Sequence, residues 1–281
     1  MGMDVDALVL SILLGVVQGV LEWLPVSSEG GVALALALTT GESGGDSTRF
    51  ALLLHAGTAV AAFAYYREEV FDLVRDAPDW RPGDAFESER ADLSFFAIAT
   101  LTSGVVGIGV YLLFEALVSE LAGGAFVAAV GGLLVGTGVV QRIAETRGLG
   151  EKAWPDAVDA VLVGAMQGLA LLPGVSRSGT TVSALLLRGH EGESALRLSF
   201  LLSIPAALGA SLLVLLESGV PAVSPVAAAV ALVVSAAVGY LTVGALVALV
   251  RRVAFWAVCI GFGALALVSG GLLALADAGV V

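Results

Sequence analysis

Apolar residues run in long unbroken stretches along this chain, and polar residues gather in the gaps. Six stretches, 49–66, 93–114, 122–140, 196–216, 223–250 and 253–276, are long enough to cross a bilayer, which takes roughly 20 apolar residues per helix. Two others, 6–24 and 155–172, each run into a Pro/Ser/Gly break and are followed by a short apolar piece, 32–40 and 180–188. Those short pieces cannot cross as helices. Helix, break and half-helix predict a re-entrant hairpin, because irregular backbone at membrane depth survives only where it is buried or lines a cavity.

The two broken stretches are related by a shift of 149 residues, which places Gly15 on Gly164, Gln18 on Gln167, Gly19 on Gly168, Val26-Ser27 on Val175-Ser176, and Gly30 on Gly179. Gln, Ser and Gly among the matches argue for an internal repeat and not for shared hydrophobicity alone. The basic residues then set an orientation. Eleven of the thirteen Lys and Arg lie in four loops: Arg67, Arg75, Arg81 and Arg90; Arg142, Arg147 and Lys152; Arg188 and Arg197; Arg251 and Arg252. The positive-inside rule puts those loops in the cytoplasm and both termini outside. The predicted fold is an all-α integral membrane protein, one membrane domain over 1–281. It is an inverted repeat, each half a re-entrant helix hairpin plus three transmembrane helices, with repeat 1 over about 6–140 and repeat 2 over about 155–276. Interrupted segments in corresponding halves point to a binding site at the midplane.

Composition agrees: 58% of the 281 residues are hydrophobic and 14% are charged, against roughly 45–50% and 25% in soluble domains. A net charge of −12 argues against a nucleic-acid partner. The acidic loops, such as Asp84-Ala85-Phe86-Glu87-Ser88-Glu89, resemble the surfaces of salt-loving organisms. The single cysteine, Cys259, can form no internal disulfide, and no cysteine or histidine cluster suggests a zinc-type site. Asp4 and Asp6 stand where a signal peptide would carry basic residues, so the N-terminus reads as mature protein.

The chemistry concentrates at the two breaks. The first reads Gln18-Gly19-Val20-Leu21-Glu22-Trp23-Leu24-Pro25-Val26-Ser27-Ser28-Glu29-Gly30, the second Gln167 through Pro173-Gly174-Val175-Ser176-Arg177-Ser178-Gly179. The repeat maps Glu22 onto Leu171 and Arg177 onto Ser28, so the acid belongs to one half and the base to the other. A charge at bilayer depth costs roughly 2.5–3.5 kcal/mol or more. A structural Glu22–Arg177 ion pair would offset that cost, but it leaves the clustered Ser27, Ser28, Ser176 and Ser178 unexplained. Half-helices starting near Ser28 and Thr180 would aim their N-termini at the membrane centre, where free N–H groups favour an anion. With Arg177, able to grip phosphate through two hydrogen bonds, they would form a diphosphate cradle. Gln18 and Glu22, four apart, would share the helix face turned towards it.

Glu22-Trp23-Leu24-Pro25-Val26-Ser27-Ser28 and Pro173-Gly174-Val175-Ser176-Arg177-Ser178-Gly179 resemble the two signature segments of the undecaprenyl-diphosphatase family, the bacitracin-resistance type, and the order and number of spans match over nearly the whole chain. The resemblance, to an archaeal, salt-adapted member, implies a multi-pass phosphatase of the cell membrane. It would convert a polyprenyl (undecaprenyl-type) diphosphate to the monophosphate and so recycle a glycan carrier lipid. It implies Glu22, Ser28 and Arg177 as catalytic, and Gln18, Ser27, Gly30, Gly174, Ser176, Ser178 and Gly179 as substrate-binding. It also implies a divalent cation, Mg2+ or Ca2+, which Glu22 could bridge to the diphosphate. It leaves a homodimer open. The family's histidine after the first-motif glycine is replaced here by Gly31, and Glu29 stands where the family has Thr or Ser. Glu22 then becomes the expected base, acting on Ser28 or on a water. His55 is expected to be a buried, hydrogen-bonded residue whose loss matters little to turnover, and His190 a solvated loop residue. A polyprenyl-phosphate flippase or transporter is the alternative, since broken helices in inverted repeats also build transporters.

Overall fold

The computed structural model describes residues 5–41, 43–87, 90–117, 121, 123–147, 150, 152–219, 224–250 and 252–277. Among them the chain is helical, with no strand beyond an isolated bridge between Lys152 and His190. The helices are α1 (Val5–Leu21), α2 (Ser28–Thr40), α3 (Gly44–Tyr65), α4 (Arg67–Asp76), α5 (Arg90–Leu117), α6 (Gly123–Arg147), α7 (Ala157–Leu169), α8 (Arg177–Leu187), α9 (Gly192–Ser218), α10 (Pro225–Val250) and α11 (Phe255–Asp277). Six of these, α3, α5, α6, α9, α10 and α11, are long and apolar enough to cross a membrane, and they coincide with the six stretches read from hydropathy.

Where edges differ, polar chemistry explains it. Helix α3 begins at Gly44, ahead of the apolar run, because the Ser43 side chain caps it by accepting from the Asp46 N–H at 3.1 Å. Helix α6 continues past 140 to Arg147, its last turns carrying an Arg142–Glu145 pair at 3.2 Å. Helix α4 falls in a segment read only as a charged loop. Its Phe71 and Val74 are exposed apolar side chains beside the acids Glu68, Asp72 and Asp76.

The broken stretches form two helical pairs, α1–α2 and α7–α8. At 1.5 Å per residue, α7 and α8 are about 20 and 16 Å long, short of the roughly 30 Å hydrocarbon core. Glycines bring the first helix of each pair against a long helix of the other half. A Cβ on Gly15 would meet the Ala231 carbonyl oxygen of α10 at 2.6 Å, and one on Gly19 would meet the Gly239 nitrogen at 2.9 Å. The partners by the 149-residue shift behave alike on α5, with Gly164 against the Ala99 carbonyl oxygen at 2.6 Å and Gly168 against the Gly107 nitrogen at 2.8 Å. Small residues that let backbones approach are the usual means of helix association in membranes.

The base of the second pair is clamped by charge. Asp156 caps α7 in a reciprocal capping box with Asp159. Asp159, with no exposed surface, accepts from Lys152 Nζ at 2.5 Å and Arg188 Nε at 2.6 Å, and lies 3.0 Å from His190 Nε2. His190 is therefore not the solvated residue expected: it is 1% exposed and belongs to this network. Apolar clusters fill the rest, one joining α1, α2, α3 and α6 around Leu14, Phe50 and Phe126, another joining α5, α7, α8 and α9 around Phe95, Leu185 and Leu198.

Candidate active site

The helical pairs meet break to break. Ser27 is the N-cap of α2 and Ser176 the N-cap of α8; their hydroxyls accept from Gly30 N–H at 3.0 Å and Gly179 N–H at 3.1 Å. Side-chain caps of this kind satisfy N–H groups that a helix start leaves open. Ser27 Oγ also accepts from the Gly174 N–H at 2.9 Å, tying one break to the other. Gly174 has φ +102°, a backbone conformation that suits glycine. Ser178 Oγ donates to the Leu24 carbonyl at 3.0 Å. Trp23, fully buried, donates to the Gly239 carbonyl at 3.1 Å and packs edge-on against Phe200, with ring centroids 5.6 Å apart.

Beside this joint sits the charged cluster. Glu22, 6% exposed, receives Arg177 Nη2 on Oε1 at 2.5 Å. Its Oε2 accepts from Gln18 Nε2 at 3.0 Å and from Ser28 Oγ at 3.0 Å. His55 Nε2 lies 3.2 Å from the same Oε2 and 3.4 Å from Glu29 Oε1, while its Nδ1 faces the Ala51 carbonyl oxygen at 2.9 Å. Arg177 is braced by the Ser199 carbonyl at 3.2 Å and stands over Phe200 with 5.8 Å from guanidinium carbon to ring centre. Glu22, Glu29, His55 and Arg177 all border a cavity of about 40 Å³, which Gln167, Leu171 and residues of α9 also line.

The structure thus gathers Gln18, Glu22, Ser28 and Arg177 into one hydrogen-bonded group. It sets Ser27, Gly30, Gly174, Ser176, Ser178 and Gly179 into the joint beside it. Two residues at the cluster were not among those read as site residues. His55 was read as an ordinary buried residue of a span, and it is buried and hydrogen-bonded as expected, but between two carboxylates. In the sequence Glu29 stands out only as a departure from the family pattern. A signal was present: a histidine inside an apolar span and a carboxylate beside a break each need a partner at that depth. Gly31 faces elsewhere, since a Cβ there would meet Leu21 Cδ1 at 2.8 Å.

Both oxygens of Glu22 are already taken by cationic or hydrogen-bond-donating groups, and among the described residues no group of three or more His, Cys, Asp or Glu is arranged to hold a metal. What the arrangement offers is a serine hydroxyl aimed at a carboxylate, and beside it a guanidinium that an anion could claim.

Fold and site together define a multi-pass helical membrane protein with a buried acid–base cluster where two broken helical pairs meet. The family described as bacitracin resistance protein BacA matches residues 11–267, and the chain belongs to it. An undecaprenyl-diphosphatase from Haloarcula marismortui is 63% identical over 272 residues, covering 96% of this chain and 100% of that protein. Undecaprenyl-diphosphatases from Methanococcoides burtonii and Methanopyrus kandleri are 37% and 38% identical, each over 264 residues and 92% of this chain, covering 97% and 94% of those proteins.

Proposed function

We propose that this protein is a membrane-embedded phosphatase that converts a polyprenyl diphosphate of the undecaprenyl type to the monophosphate and inorganic phosphate, in the cell membrane. The observation that carries the reading is the Ser28 Oγ to Glu22 Oε2 hydrogen bond at 3.0 Å beside Arg177. A serine hydroxyl is a weak nucleophile until a base takes its proton, and here the base is already in contact. The undecaprenyl-diphosphatase relatives support the substrate class.

In this reading the terminal phosphate displaces Glu22 from Arg177, whose planar fork then holds two phosphate oxygens. Glu22 takes the Ser28 proton as Oγ attacks the terminal phosphorus in line. The Oγ–P bond forms, the P–O bond to the bridging oxygen breaks, and the polyprenyl monophosphate leaves. Water then cleaves the phosphoserine, releasing inorganic phosphate and restoring the hydroxyl. Water attacking directly, with the same base, is the variant of this route. A divalent cation, Mg2+ or Ca2+, would arrive on the diphosphate; no step above runs through it. All the protein groups named come from one chain.

The architecture in this proposal is the inverted repeat. Both pairs are re-entrant, α1–α2 from outside and α7–α8 from the cytoplasm. The crosswise glycine contacts of α1 with α10 and α7 with α5 support it, as does the equivalent capping by Ser27 and Ser176. The test is direct. Purified protein given a polyprenyl diphosphate in detergent should release inorganic phosphate, and lipid binding without any release would overturn the reading in favour of a carrier.

A further inference from the structure

The catalytic cavity has a second room. Gln167, Leu171, Ala206 and Ala210 line both the cavity beside Glu22 and Arg177 and a larger apolar groove of about 330 Å³ between α5, the end of α7 and α9. The groove is kept open by missing side chains. Gly104 on α5 and Gly209 on α9 border it, and a Cβ built on either meets nothing within 4 Å. Pro205 borders it too, in the interior of α9, where it lacks the N–H that would close a helical turn. At the junction, Gln167 is 4% exposed; its Nε2 donates to Ser103 Oγ and the Leu202 carbonyl, and its Oε1 has no partner.

We propose that this groove holds the isoprene units that follow the first in the substrate's prenyl chain, with Gly104 and Gly209 setting the room available. The inference rests on the phosphatase reading and deepens it. The occupant follows from continuity: a ligand whose phosphates sit between Arg177 and Ser28, and whose tail is apolar, leaves the polar cavity past Gln167 into this groove. Another apolar groove, of about 490 Å³ between α2, α6 and α11, reaches Ser27, Gly30 and Gly31 but none of Glu22, Glu29, His55 or Arg177. Recognition here is burial of CH2 and CH3 groups, so each unit housed adds affinity in proportion to the area buried.

The test uses full-length protein in nanodiscs. Phosphate release is followed for a C55 polyprenyl diphosphate and for a C5 diphosphate, whose chain ends before the groove. Gly104→Leu and Gly209→Leu start from positions where a Cβ meets nothing within 4 Å, and leucine is a better helix residue than glycine. Each variant should lose at least ~10-fold in kcat/KM on the C55 substrate, the loss that removing about two buried CH2 groups produces. Its C5 turnover should stay within about twofold, which also shows that it has folded. Unchanged C55 turnover would mean that the groove holds only bulk lipid, and the proposal falls. An equal loss on both substrates would place the effect at the catalytic cluster, and it falls as well. If the unaltered protein releases no phosphate from either substrate, the phosphatase reading fails first and removes the basis for the groove assignment.

Discussion

Glu22 is held by four residues from four helices or their ends: Gln18, Ser28, His55 and Arg177. If it is the base, Glu22→Gln keeps the shape and removes proton transfer, so turnover should fall by about 10²–10⁴-fold while lipid binding stays within a few-fold. Phosphate release measured beside binding checks it; a Glu22→Gln protein that still turns over would remove the base. Arg177→Lys keeps the charge but loses the planar fork, so it should fold and lose most activity; near-normal turnover would reduce Arg177 to a point charge. For His55 the geometry leads to a different prediction from the sequence reading. Its Nε2 lies against Glu22 and Glu29, so if it positions the proposed base, His55→Ala should lower kcat by about tenfold or more, the cost of misplacing a catalytic group. His55→Gln, which can still hydrogen-bond, should recover part of that loss. A fully active His55→Ala would return the residue to a packing role.

At the scale of elements, what the sequence made legible was whatever has a period or a repeat. The six spans, both breaks and the pairing of Ser27 with Ser176 could be read because length, Pro/Gly/Ser punctuation and the 149-residue shift are properties of the chain alone. Glu22 and Arg177 could be read because charge at membrane depth is rare enough to demand a reason, and Ser28 through its place at the break and the family resemblance. What escaped depends on rotation and long-range contact. Nothing in Leu54-His55-Ala56 says that the imidazole turns towards α2. Nothing near His190 says that the loop folds back onto Asp159. That clamp gives its own prediction. Removing one partner of a buried ion pair costs roughly 3–5 kcal/mol, so Asp159→Asn should lower the thermal stability of the purified protein markedly, with Lys152, Arg188 and His190 left facing a neutral amide. A second contrast tests the packing. Gly164→Leu would drive a side chain into the Ala99 carbonyl of α5, against 2.6 Å already for a Cβ alone. It should fail to fold or melt far below the unaltered protein.

Over the whole molecule, the central question is which way each helical pair points. The cytoplasmic assignment of four loops rests on the clustering of Lys and Arg, and the inverted repeat rests on that assignment. If the chain is inverted, Thr40 at the end of α2 and Glu217 near the end of α9 share one side of the membrane, and Asp79 after α4 and Glu191 before α9 share the other. These four residues are exposed, and the native Cys259 is buried, so single cysteines at the four positions report topology against a silent background. Intact cells treated with a membrane-impermeant thiol reagent should label cysteines at positions 40 and 217 and not those at 79 and 191. Permeabilised cells should label all four. The pairing is the informative part. Labelling of 79 and 191 alone would keep the repeat and reverse its orientation, moving the α1–α2 break to the cytoplasmic side. Labelling of 40 with 79 would mean that α3 does not cross, and the two halves could not be inverted copies. Only the first pattern leaves α1–α2 entering from outside and α7–α8 from inside. The glycine contacts of each pair with a long helix of the other half and the Glu22–Arg177 hydrogen bond are the same in either orientation, so the labelling pattern alone decides between them.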